Sequence, residues 1–139
     1  MGRDPTHIDS HQHRHRAEPL RPIFLALARE LRVPLRHYDP RIRFCGAFYG
    51  HDGFGRPKPD AITPAALMDL LADLPPGVTE LCSHPGYPEG LKLWYREERV
   101  QEFRTLCDPA VRKAIARLGI RLVSFRQLAA REREELARV

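Results

Sequence analysis

The sequence predicts an α/β fold with a parallel sheet and crossover helices. Three observations predict it. Short apolar runs of strand length alternate with longer segments whose apolar residues recur at helical spacing. Clusters of Gly and Pro separate them. The resulting order is strand, helix, strand, helix, strand, helix, helix, strand, helix, and such alternation belongs to parallel α/β folds.

Residues 7–12 read as a short strand. Leu20, Ile23, Phe24, Leu27, Ala28 and Leu31 then form an amphipathic stripe, which predicts a helix over 19–32. Pro19 and Pro22 are tolerable only in its first turn. A second strand is predicted over 33–38, followed by the Gly- and Pro-rich loop "FCGAFYGHDGFGRPKPD". Thr63 reads as an N-cap with Pro64 at the first helical position, and Leu67, Leu70, Leu71 and Leu74 supply the buried stripe. "PPG" stops that helix. "VTELCSH" is the third strand and "PGYPEG" the loop after it. Helices are expected over 95–106 and 109–118, the second capped by Asp108 and ended by Gly119. "IRLVSF" is the fourth strand, and a charged helix begins at about residue 126.

At 139 residues and 42% hydrophobic, the chain is one domain, 1–139, or a piece of one. "PIFLALARELRV" is too short and too charged to span a bilayer, and the N-terminus has no secretory apolar region. A cytoplasmic location is the resulting expectation. Cys45, Cys82 and Cys107 are odd in number and far apart, which favours reduced thiols. The net charge is +5. The arginines are scattered and mixed with Glu, as in "REREELAR", so a solvated ion-paired surface is expected and no nucleic-acid partner.

"PTHIDSHQHRHR" places His7, His11, His13 and His15 within nine residues. On an extended strand His7, Asp9, His11 and His13 share a face. Such a row either converges on a divalent ion, with Asp9 as ligand or as acceptor for a ligand's second ring nitrogen, or forms a polar arm without a task. His84 ends the third strand at a tight turn and reads as a general acid or base, or as a turn residue bonded to backbone. Cys82, two residues earlier, invites a Cys–His pairing, but within an apolar strand it reads as a buried small side chain. His51 and Asp52 sit in the long loop and read as solvated. Trp94 and Tyr95 read as packing at a helix start. The "REERVQEF" charges read as a solvated helix face.

The segments "PTHIDSHQHRH" and "ELCSHPGY" together resemble the YdjC-like carbohydrate deacetylases, a family that includes chitooligosaccharide deacetylases and a hopanoid-associated branch. "AFYG", "LPPGVTEL", "REERVQEFRTLCDPAVRKAI" and "LGIRLVSF" extend the likeness across the chain. The resemblance implies a distorted (β/α) barrel and a metal-dependent hydrolase that removes acetyl groups from N-acetylated amino sugars. It implies a divalent ion, Mg or Zn, held by one Asp and two His. His11 falls on one of these ligands, with Asp9, His13 and His15 as local support. His84 falls on the turn histidine, the general acid for the leaving amine.

Two family segments have no counterpart in this sequence: an Asn-Ala-Asp-Asp-Phe-Gly type strand and a Gly-x-His segment that carries the other ligands. Arg14 and Arg16 stand where the family is usually apolar. Barrels of this kind need about 250 residues, so the chain is expected to resemble the C-terminal half of an incomplete barrel. It then belongs to a longer protein, pairs with a separate N-terminal half, or is a truncated module that forms a homodimer. The alternative function is a non-catalytic oligomerising or metal-binding module.

Overall fold

Thr63 and Asp108 start their helices as the sequence predicts in the computed structural model, which describes residues 4–87, 89–90 and 94–136. The elements run α1 (Leu20–Leu31), β1 (Ile42–Cys45), α2 (Pro64–Ala72), β2 (Val78–Leu81), α3 (Glu97–Leu106), α4 (Pro109–Arg117) and α5 (Phe125–Leu136). Short 3-10 helices occupy His11–Arg16 and Pro59–Ile62. The Thr63 hydroxyl accepts from Ala66 N–H at 3.2 Å, and the Asp108 carboxylate accepts from Ala110 N–H at 2.7 Å. Each satisfies one donor that a helix start leaves open. Pro64 and Pro109 follow their caps, where a missing N–H costs nothing. Gly119 takes φ +66° beyond α4, in the left-handed region that ends a helix cheaply.

The chain divides into two compact units, Met1–Arg43 with Leu122–Val139, and Phe44–Arg121. In the second, Phe48, Ile62, Leu67, Leu71 and Val111 form the core, with Met68, Leu70, Leu74, Leu81, Ile115 and Ile120 packed around them. Helices α2 and α4 face each other across it. β1 and β2 pair as a two-stranded parallel sheet, extended by Cys82 N–H donating to the Cys45 carbonyl at 2.9 Å. In the first unit, His15 is fully buried, and among the described residues Ala28, Leu35 and Ile42 are the buried apolar ones.

The structure corrects several sequence expectations. β1 begins at Ile42 and takes Phe44 and Cys45 from the residues read as loop. The strand expected over 33–38 reduces to one parallel bridge between Ile8 and Leu35. The strand expected over 7–12 stops after that bridge, because residues 11–16 wind into a 3-10 helix with Gln12 and His13 at positive φ. The alternation that would align His7, Asp9, His11 and His13 is therefore lost. "IRLVSF" forms no strand: residues 120–124 lie outside regular structure, with Leu122 exposed. A strand needs a neighbour to take its backbone hydrogen bonds, and among the described residues none flanks this segment. The stripe of α1 is helical as expected, yet Leu20, Ile23, Leu27 and Leu31 remain exposed. The side chains of the charged run 131–138 lie outside the described residues.

Leu67 is 1% exposed at the centre of the Phe44–Arg121 core. Leu67→Ala is expected to destabilise that unit by about 3 kcal/mol, through lost burial plus the cavity left behind. Denaturant unfolding followed by far-UV circular dichroism measures this, and a change under about 1 kcal/mol would contradict the packing.

Candidate functional site

Each unit holds its own group of chemistry-bearing side chains. In the first unit the group is built around His15. Ser10 sits ahead of the 3-10 turn, and its hydroxyl oxygen accepts the His15 backbone N–H at 2.9 Å. The same hydroxyl lies 2.8 Å from His15 Nδ1, and His15 Nε2 lies 3.1 Å from the Arg36 carbonyl. A carbonyl only accepts, so Nε2 carries the proton and Nδ1 accepts from Ser10. Burial, the largest influence, holds the His15 pKa below its usual value.

The winding of 11–16 turns His13 back toward His15, and His37 arrives after the Leu35 bridge with φ +70°. His13 meets His37 edge to face, ring centroids 4.8 Å apart. One potential ligand atom from each of His13, His15 and His37 lies within 4.8 Å of the others. A cluster of this kind can bind a metal. Burial first, then Arg16, His13, His15 and Arg36, lower the His37 pKa from 6.5 to about 4. Both His15 and His37 thus favour the neutral form that ligates metals.

The other sequence candidates of this unit stand apart. His11 is exposed, and no three-residue ligand group among the described residues includes it. His7 stacks on Phe125, centroids 4.0 Å apart. Asp9 pairs with Arg36 at 3.0 Å.

In the second unit a buried polar network surrounds His84. Tyr95, Glu98, Glu102 and Thr105 lie on one side of α3 and the turn before it, spaced three, four and three residues apart. Glu102 is fully buried, and its carboxylate accepts from the His84 backbone N–H and, at 2.5 Å, from the Tyr95 hydroxyl. The Tyr95 oxygen in turn accepts from Gly50 N–H at 2.7 Å. Burial and the bond to Glu102 push the Tyr95 hydroxyl far above its usual pKa, so it remains a donor. Arg99 donates to the His84 carbonyl at 3.3 Å, which fixes the other side of the turn. The Tyr49 and Tyr95 rings stack on each other at 4.8 Å and lie on one side of His84, with centroids 5.2 and 5.9 Å away.

His51 Nε2 lies 2.8 Å from the Glu98 carboxylate, an arrangement that sets the tautomer of an imidazole. The sequence reading of His51 as solvated is corrected, since it is 7% exposed and wedged against Trp94 and Tyr95. Tyr95 is more than packing, and Glu102 is not on a solvated face. Asp52 folds its own loop, accepting from Phe54 N–H at 2.8 Å and Arg56 N–H at 3.0 Å. Those bonds hold its carboxyl below its usual pKa. Cys82 is half-buried at the end of β2. His37 and Glu102 are the residues that sequence reasoning missed. Helical spacing from Tyr95 through Thr105 carried the signal for Glu102. No local pattern carried one for His37.

Comparison with known proteins supplies the wider frame. A profile of the YdjC-like protein family matches residues 1–117. A carbohydrate deacetylase of Geobacillus stearothermophilus is 31% identical over 139 aligned residues, covering 91% of this chain and 53% of the relative. A chitooligosaccharide deacetylase of Yersinia pestis is 33% identical over 145, covering 90% and 53%. A solved structure from Enterococcus faecalis, of a protein named for cellobiose-phosphate cleavage, superposes with a TM-score of 0.72 at 27% identity. It covers 91% of this chain and 54% of that one. The chain spans about half the length of the curated relatives it matches.

Two outcomes follow from this geometry. Glu102→Gln replaces one acceptor oxygen with an amide donor, which cannot accept from both His84 N–H and Tyr95. It is expected to destabilise the second unit by about 2–3 kcal/mol and to shift the His84 backbone amide resonance. An unchanged unfolding midpoint would mean that Glu102 does not hold the turn. In the metal-free chain, the His37 ring is expected to titrate near pH 4 rather than 6.5. The unfolded state takes up that proton first as pH falls, so stability declines from about pH 6.5 to about 4 and then levels off. An NMR titration with a midpoint near 6.5 would refute the burial argument.

Proposed function

This chain belongs to the YdjC-like family, and on that premise we propose that it is the C-terminal half of a carbohydrate deacetylase. The substrate is an N-acetylated amino sugar or oligosaccharide, by likeness to the deacetylases it matches. The reaction is hydrolysis of the acetamide bond. The observation that carries the reading is the pinned turn at His84. Its N–H is held by Glu102, its carbonyl by Arg99, and its ring rests against a stacked pair of tyrosines. A general acid must present its ring at a fixed place when the leaving amine needs a proton. We assign that role to His84.

The family resemblance implies a divalent ion, Mg or Zn, with His11 as one of three ligands and Asp9, His13 and His15 in support. When bound, such an ion polarises the amide carbonyl. The side chains of this chain do not make up that ligand set, because His11 joins no three-residue group among the described residues. The missing Asp and His are assigned to the segments that precede these residues in the family. The rest of the barrel comes from a longer polypeptide, a separate chain or a second copy. Two features support an incomplete (β/α) barrel as the architecture of this single domain. The apolar residues Leu20, Ile23, Leu27 and Leu31 of α1 are uncovered, and residues 120–124 pair with no strand among the described residues.

The test uses the longest polypeptide encoded around this chain, assayed for acetate release from acetylated chitooligosaccharides with Mg or Zn. Acetate release is expected, and His84→Ala is expected to lower kcat by about 10²–10⁴ with KM little changed. Release that survives His84→Ala rejects the acid role. No release from the complete polypeptide rejects the deacetylase reading and leaves a non-catalytic metal-binding module.

A further inference from the structure

We propose that His13, His15 and His37 form a three-histidine site for a zinc-class divalent cation, separate from the ligand His11. This goes beyond the deacetylase reading and does not rest on it. All three side chains belong to the same unit, and one ligand-type atom from each lies within 4.8 Å of the others. Their ring centroids are 4.8, 6.0 and 6.1 Å apart. Imidazoles at the usual zinc–nitrogen distance in a tetrahedral array place their centroids about 5 Å apart and their donor atoms about 3.4 Å apart. The rings stand near that arrangement, and closing the site requires the donor atoms to draw together from within 4.8 Å.

The donor set selects the class of ion. Three imidazoles suit zinc, cobalt, nickel or copper, whereas magnesium requires oxygen ligands. Three protein ligands leave a fourth position open. The surroundings resemble those of a ligating histidine. His15 Nε2 donates to the Arg36 carbonyl, the kind of outer contact that orients a metal-bound ring. Ligation by His15 through Nδ1 exchanges its hydrogen bond with Ser10 for a bond to the ion. His13 at φ +54° and His37 at φ +70° hold a left-handed backbone conformation that is unfavourable for a side-chain-bearing residue. That conformation brings both rings to His15 before any ion arrives. Arg16 and Arg36 act against a cation here, and Asp9 offsets part of their field through its pairing with Arg36.

The experiment titrates the chelator-stripped chain with cobalt(II), read by visible absorption, and then displaces cobalt with zinc. One equivalent is expected, with the intense band of a four-coordinate ion, and zinc should shift the ring resonances of His13, His15 and His37 together. His37→Asn and His13→Asn are suitable variants because asparagine accepts the left-handed backbone. Each should weaken cobalt binding at least about tenfold, the low end of the loss when even an outer partner is removed. His11→Asn should leave it within about threefold. Three results would overturn the proposal: no binding by the parent chain, binding unchanged in both asparagine variants, or binding lost only in His11→Asn. Should a variant lose its far-UV circular dichroism, the ring shifts of the parent chain decide alone. None of these readouts involves acetate release, so failure of this site and failure of the deacetylase reading are distinguishable.

Discussion

A buried carboxylate governs the unit Phe44–Arg121. Glu102 has no exposed surface, and an uncompensated charge there would cost several kcal/mol. Its compensation comes from chain segments far apart in sequence. His84 gives its N–H directly, Tyr95 gives its hydroxyl, and Gly50 reaches the carboxylate through that hydroxyl. The loop before α2, the turn after β2 and the start of α3 are thereby tied to one point. Gly50 can lie there only because it lacks a side chain. A Cβ at this position would stand 2.8 Å from Ile62 Cδ1 and 2.9 Å from Glu98 Cγ.

The unit that holds His15 follows the same logic with a neutral group. Ser10 and Arg36 satisfy both nitrogens of a ring that is fully buried. Phe24 and Tyr38 pack around it at centroid distances of 6.0 and 6.2 Å. A histidine here takes the place that a leucine holds in an ordinary core, and its two hydrogen bonds join residues 10 and 36. Among the described residues of this unit, few large apolar side chains are buried, so these polar links carry much of its definition.

The helices were legible because their signals are local. Thr63-Pro64 and Asp108-Pro109 state where α2 and α4 begin, and apolar spacing states which face turns inward. Strands were less legible, because a strand is completed by its neighbour. Residues 120–125 have the composition of a strand and, among the described residues, no ladder to join, whereas Phe44 and Cys45, read as loop, pair with β2. A candidate group was visible in the sequence where motif and strand end coincide, at His84. Others were hidden where the fold joins distant residues. Nothing near His37 announces that a turn at residues 11–16 will deliver His13 and His15 to it. Glu102 looked solvated because its neighbours in sequence are charged, although its spacing from Tyr95 and Glu98 matches one helix face.

The positive φ at His37 bears on how this position can drift over generations. Glycine or asparagine would relieve the backbone there, so relaxation alone would draw the position away from a ring. β-branched replacements are barred by sterics. A histidine that persists at 37 among diverging sequences would therefore persist for its imidazole and not for its main chain. Substitution by glycine or asparagine would mark lineages in which that imidazole has lost its use.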